Sequence, residues 1–126
     1  MLFRSGSRIL ADYGIQLVLV TLGGDGVYYR LGEHAGKIPG VSVKVSDTNG
    51  AGDTFLGAML CRISGMISGS QASDAAPNET LKLEALIPEE TLREYLAFAN
   101  RAAAKTCSRP GAIPAMPTLE EMEAEK

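Results

Sequence analysis

Asp47-Thr48-Asn49-Gly50-Ala51-Gly52-Asp53 sets a turn of small residues between an alternating run, Val41-Ser42-Val43-Lys44-Val45, and an apolar segment over 51–64. That segment places Phe55, Ala58, Met59 and Ile63 on one helical face, with Leu56 and Cys61 beside it, so it reads as a helix. Gly50 and Gly52 leave the backbone uncovered, and successive N–H groups can converge on an anion at the positive end of that helix. Asp53 falls inside the first helical turn, where a bound phosphate would repel it unless it had a task. Accepting the proton of a hydroxyl that attacks phosphorus is such a task, and the arrangement suits phosphoryl transfer. The plain alternative is an aspartate that stabilises a helix start by ~0.3–1 kcal/mol through the macrodipole, beside glycines that the turn alone requires.

The longer string, D-T-N-G-A-G-D-T-F from Asp47 to Phe55, closely resembles the signature D-T-x-G-A-G-D-x-F of the ribokinase-like sugar kinases, the PfkB family, and every fixed position matches. Upstream, V-T-L-G-G-D-G-V over 20–27 is similar to that family's T-x-G-x-x-G nucleotide segment. Downstream, F-A-N-R-A-A-A over 98–104 and G-A-I-P-A-M-P-T over 111–118 resemble its adenine-side helix and C-terminal turn, the last most like bacterial fructokinases. No G-x-x-x-x-G-K-[ST] occurs, so no Walker-type lysine is present.

The resemblance implies an α/β fold, part of a ribokinase-like αβα sandwich with a mostly parallel sheet, flanking helices and a β-hairpin. Residues 1–126 would be its C-terminal, nucleotide-binding and catalytic part, lacking the N-terminal strands and the lid. It further implies ATP-dependent phosphorylation of a sugar hydroxyl, with ATP and Mg²⁺ as cofactors. Asp53 would be the general base, with Gly50, Ala51 and Gly52 as the anion hole. Thr21, Gly23 and Gly26 would contact the nucleotide's phosphates and ribose, although a strand followed by G-G-D-G also reads simply as a turn. Asn100 and Ala103 would meet the adenine; the other reading makes Asn100 a surface residue on a closely packed alanine helix. Many relatives bind a monovalent cation such as K⁺ through a side chain at Asp47 and main-chain oxygens around Asn49, Thr106, Arg109, Gly111 and Ala115. Asp47 hydrogen-bonding its own turn is the competing reading. Arg101 departs from the small residue often found beside Asn100.

Around these motifs, residues 9–13 read as the end of a helix closed by Gly14. The continuous apolar run Ile15, Leu17, Val18, Leu19 and Val20 puts a short buried strand at 16–21, of the kind found in parallel sheets. Residues 27–30 and a run near Lys37-Ile38 suggest a hairpin in which alternation would bury only one of Tyr28 and Tyr29. Residues 41–45 read as the strand that delivers the phosphate turn, and 65–80 as an exposed connection rich in Ser, Gly, Asp, Pro and Asn. Pro88-Glu89-Glu90 opens a helix whose stripe of Leu92, Leu96, Ala99 and Ala103 runs to about Thr106. Thr118 caps a last acidic turn over 119–124.

Net charge is −3 and no basic stripe interleaves with aromatics, which speaks against nucleic acid as a partner. No apolar run approaches the ~20 residues of a membrane helix and no secretory signal pattern opens the chain, so a cytoplasmic site is expected. Cys61 and Cys107 sit in apolar helical patterns and read as buried, reduced thiols; with His34 as the one histidine they cannot build a zinc site. His34, among Gly32, Glu33 and Gly36, reads as a surface residue. The sugar would be bound mostly by the N-terminal part. Three readings compete: a kinase part inactive or weak alone, a nucleotide-binding module that pairs with an N-terminal kinase fragment, or a fragment that self-associates through uncovered edges.

Overall fold

A computed structural model describes residues 2–69 and 82–124. Helix α1 (Leu2–Asp12) leads to strand β1 (Leu17–Thr21), a 3₁₀ turn (Gly23–Asp25) and the hairpin of β2 (Val27–Leu31) and β3 (His34–Ile38). Helix α2 (Ala51–Gly69), a short α3 (Leu83–Leu86), the long α4 (Glu89–Cys107), a second 3₁₀ turn (Ile113–Ala115) and α5 (Leu119–Glu123) come after the hairpin.

Gly14 ends α1 as its sequence suggests. With φ at 92° it lets Ile15 N–H reach back to the Leu10 carbonyl, closing the orphan carbonyls of the last turn. The three strands form one sheet in the order β1-β2-β3, and both pairings are antiparallel. The apolar run at β1 thus pairs with β2 through a tight turn rather than with a parallel neighbour, because the next strand in sequence folds straight back.

Residues 41–45 belong to no strand and carry no ladder, which corrects the expectation of a strand there. Their alternation is real, yet no described strand lies beside them, and Val41, Val43 and Val45 are 42%, 36% and 59% exposed. Helix α2 runs to Gly69, past the start expected for an exposed connection; residues 70–80 of that connection lie outside the described residues.

Both faces of β2 are covered, so both tyrosines are buried, against the expectation of one. Tyr28 faces α1, stacking obliquely on Phe3 with ring centroids 4.9 Å apart and taking a hydrogen bond from Arg30. Tyr29 faces the other way, toward α4, donating to Glu89 Oε1 at 2.6 Å and accepting from Arg93 at 2.9 Å. Burial pushes its phenol above the ordinary range, the Glu89 hydrogen bond adds to this, and Arg93 opposes it. Val27, Tyr29 and Leu31 share the main core with Phe55 and Met59 of α2 and with Leu92, Leu96 and Ala99 of α4. Leucines buried as fully as Leu92 and Leu96 each stabilise the fold by about 1.5–3 kcal/mol.

Helix α2 buries only one side in this chain. Leu56 and Leu60 on its far side are each 57% exposed, and Cys61 is exposed beside them, which corrects the expectation of a buried thiol there. Both cysteines are free. Helix α5 is held by a capping box between Thr118 and Glu121, by Met122 packed on Phe98 and Ala102, and by the Arg109–Glu121 ion pair. Arg109 hydrogen-bonds Glu121 and holds its carboxyl below the usual carboxylate range. His34 is half exposed, with Nδ1 3.2 Å from Glu89.

Candidate active site

The C-terminal half of α4 organises the site. Its last residue, Cys107, offers one carbonyl to two donors, Ser46 N–H at 2.7 Å and Asp47 N–H at 3.1 Å, which seats the entry to the glycine turn. Thr106, fully buried, meets Thr54 of α2 hydroxyl to hydroxyl at 2.8 Å, which seats its exit. Between these anchors Gly50 adopts φ 81° and its carbonyl accepts the first helical bond of α2, from Thr54 N–H at 2.9 Å. A Cβ at Gly50 would stand 3.1 Å from the Ala112 methyl, so the turn leans directly on the C-terminal segment.

Asp47 ties the two together. One carboxylate oxygen accepts from Asn49 N–H at 2.9 Å and the other from Gly111 N–H at 3.3 Å, and Gly111 is itself left-handed at φ 86°. The hydrogen-bonding reading of Asp47 is therefore the arrangement observed. Asn49 is exposed and contributes its N–H to Asp47. Among the described residues, no three His, Cys, Asp or Glu side chains gather around a common point.

A cavity of about 550 Å³ opens between the head of α2, the last turns of α4 and the loop after β1. Thr21, Gly23 and Gly26 line it from one side, Asn100 and Ala103 from α4, and Ala51 and Gly52 from the head of α2. Three segments singled out from sequence alone thus converge on one space. Gly50, Asp47, Asn49 and Asp53 stand outside its lining. Asp53 projects into solvent in the first turn of α2. Gly52 has no heavy atom within 4 Å of where a Cβ would be, so the cavity wall there is bare backbone. Ala51 N–H points back to the Thr48 carbonyl at 3.4 Å, a long bond that an incoming anion could displace.

Gly26 is buried at φ 99°; a Cβ there would collide with the Ile38 carbonyl and lie 2.6 Å from Gly40 N. Asn100 is buried as well, which excludes the surface reading, and its amide donates to the Pro39 carbonyl at 3.1 Å. That bond clips α4 to the hairpin exit. Arg101 turns away to the ring of Phe98, 5.9 Å from its centroid, which Arg62 also covers at 4.0 Å.

A profile of pfkB family carbohydrate kinases matches residues 7–119. The chain belongs to the pfkB family. Probable fructokinase-4 of Arabidopsis thaliana is 38% identical over 110 residues, which cover 87% of this chain and 29% of the plant protein. The fructokinase of Xylella fastidiosa with bound ATP superposes with a TM-score of 0.75 at 30% identity, over 94% of this chain and 35% of that one. The Vibrio cholerae O395 fructokinase, in a form with fructose, ADP and a calcium ion bound, gives 0.72 at 28% identity over 96% and 34%. This pfkB chain therefore carries part of the ribokinase-like α/β fold and spans less than a third of its curated plant relative.

At this cavity, sequence reasoning missed the segment Gly40-Val41-Ser42-Val43, which forms one wall. The only signal was the Pro39-Gly40 break, which marks the end of β3 but gives no direction to the chain beyond it. Among the described residues, no helix is long and apolar enough to cross a membrane.

Proposed function

We propose that this chain is the nucleotide-side part of a fructokinase-like carbohydrate kinase, which transfers the γ-phosphoryl of ATP to a sugar hydroxyl. The observation that carries the reading is the convergence of Thr21, Gly23 and Gly26, of Asn100 and Ala103, and of the α2 head on one cavity. Small side chains on α4 leave width for a flat base, and bare backbone at Gly52 leaves room for phosphate oxygens. The N–H groups of Gly50, Ala51 and Gly52 lie at a helix start, where donors lack intrahelical acceptors and the dipole favours negative charge.

In this reading the sugar oxygen bonds to the γ-phosphorus as the bond from phosphorus to the bridging oxygen breaks, and Asp53 accepts the hydroxyl proton. Exposure of Asp53, next in sequence to the cavity-lining Gly52, suits a base that receives its substrate from outside these residues. Mg²⁺ binds largely through phosphates and water, needing few protein carboxylates, and the residues present fit that mode rather than a dedicated cage. Asp47, already accepting two main-chain bonds, is the side chain that would face a monovalent cation such as K⁺. Free thiols at Cys61 and Cys107 suit a reducing, cytoplasmic setting.

A second reading is favoured by the exposed Leu56 and Leu60: a nucleotide-binding module completed by an N-terminal kinase fragment, or by self-association. Calorimetric titration of ATP with Mg²⁺ into this chain, with fructose phosphorylation assayed in parallel, tests both. Binding retained in Asp53→Asn with turnover lost by about 10²–10⁴ supports the kinase reading. Binding without turnover selects the module, and absence of binding by a folded chain at millimolar ATP overturns both.

A further inference from the structure

Two consecutive residues at the end of α4 hold the two flanks of the glycine turn, and they do so by different means. Cys107 uses its main-chain carbonyl on Ser46 and Asp47, which any residue could supply. Thr106 uses its hydroxyl on Thr54, the residue next to Asp53. The same helix presents Asn100 and Ala103 to the cavity one to two turns earlier. We propose that Thr106 is a positioning residue: through Thr54 it fixes the first turn of α2, and so sets Asp53 and the Gly50–Gly52 donors in register with the cavity wall of α4. This rests on the nucleotide-side reading of the cavity.

Thr106 Oγ1 lies 3.3 Å from the Ala102 carbonyl, an acceptor only, and 2.8 Å from Thr54 Oγ1. Either hydroxyl can donate across the Thr54–Thr106 link, and with the Thr106 proton on Ala102 it is Thr54 that donates, so the two helices are joined through one hydrogen-bonded pair. Thr106 is wholly buried and Thr54 is 8% exposed, so water does not compete for this link. Buried hydroxyls meeting across two helices carry a directional requirement that apolar packing lacks, since packing tolerates sliding and a hydrogen bond does not. The core side chains that α2 and α4 share are apolar, among them Phe55, Met59, Leu96 and Ala99, and they specify closeness without specifying the rotation of the first turn.

Thr106→Val and Thr106→Ser separate positioning from packing. Valine keeps the volume and removes the hydroxyl; serine keeps the hydroxyl and removes a buried methyl. The measurements are thermal melting, ¹H–¹⁵N amide resonances of Gly50, Gly52 and Asp53, and MgATP affinity by calorimetry on the full chain. Thr106→Val is expected to move those three resonances and weaken MgATP binding by roughly five- to tenfold, the equivalent of one lost hydrogen bond. Thr106→Ser should leave resonances and affinity near those of the parent although its melting temperature falls. Affinity that tracks melting temperature across the two variants overturns the proposal, as do unmoved resonances in Thr106→Val. If the parent chain binds no MgATP, the nucleotide reading fails, and the resonances alone decide the positioning role.

Discussion

Asp47 Oδ2 accepts a hydrogen bond from Gly111 N–H across 64 residues of sequence, while its other oxygen closes the turn at Asn49. One carboxylate thus welds the turn at Gly50 to the C-terminal segment, and both glycine turns depend on it. The amide of Asp47→Asn has one acceptor oxygen in place of two, so only one of these N–H groups stays satisfied. We expect a loss of about 1 kcal/mol in urea unfolding, the usual scale for one net hydrogen bond, with weaker MgATP binding.

Gly52 and Gly50 make opposite predictions although they are two residues apart. Gly52→Ala meets no atom within 4 Å and sits in the helix, so it should stabilise the chain by about 0.5 kcal/mol while placing a methyl in the cavity and lowering nucleotide affinity. Gly50→Ala forces a left-handed φ on alanine and presses on Ala112, and should cost about 1–3 kcal/mol. Paired melting curves and ATP titrations check both; a stabilised Gly52→Ala with undiminished affinity would remove phosphate from that wall.

Gly26→Ala should damage the fold more than either of these changes. Its Cβ would enter the main chain of Ile38 and Gly40, with no flexible side chain there to yield. The expected loss is about 3–5 kcal/mol, enough to unfold a marginal domain, read from circular dichroism and soluble yield.

Acid should loosen α5 before it melts the core. The Glu121 carboxyl is held below its ordinary value, chiefly by Arg109, so the folded state keeps it charged to lower pH than the unfolded chain does. The link therefore contributes stability above the unfolded value of about 4.3 and loses it as pH falls through the lower folded value. Amide resonances of Thr118 and Glu121 should shift as pH falls through that lowered folded value, and Glu121→Gln should abolish that pH dependence while the resonances of Leu92 and Leu96 stay in place.

Much of the fold and of the site is legible in the sequence because the decisive features are local. A glycine turn ahead of an apolar helix, Gly14 after α1, and Thr118 with Glu121 at α5 each fix backbone geometry within a few residues. The features that escape a sequence reading depend on partners far away along the chain. Val41, Val43 and Val45 alternate like a strand, but alternation cannot say whether a neighbour is present to complete a ladder. Tyr28 and Tyr29 both disappear from solvent because helices cover both faces of one strand, which the hairpin's own pattern does not encode. Asn100 is ambiguous in sequence because its partner is a carbonyl, that of Pro39, which leaves no trace in residue type.

The placement of Asn100 and Thr106 on one uninterrupted helix constrains how this gene can change. An α-helix turns about 100° per residue, so one residue inserted or deleted between them would swing Thr106 a quarter-turn or more from Thr54 while Asn100 stayed in place. Substitutions along α4 can be absorbed one at a time; a change in its length cannot. Across descendants of this sequence the count of residues from Asn100 to Thr106 should outlast the identity of most residues between them.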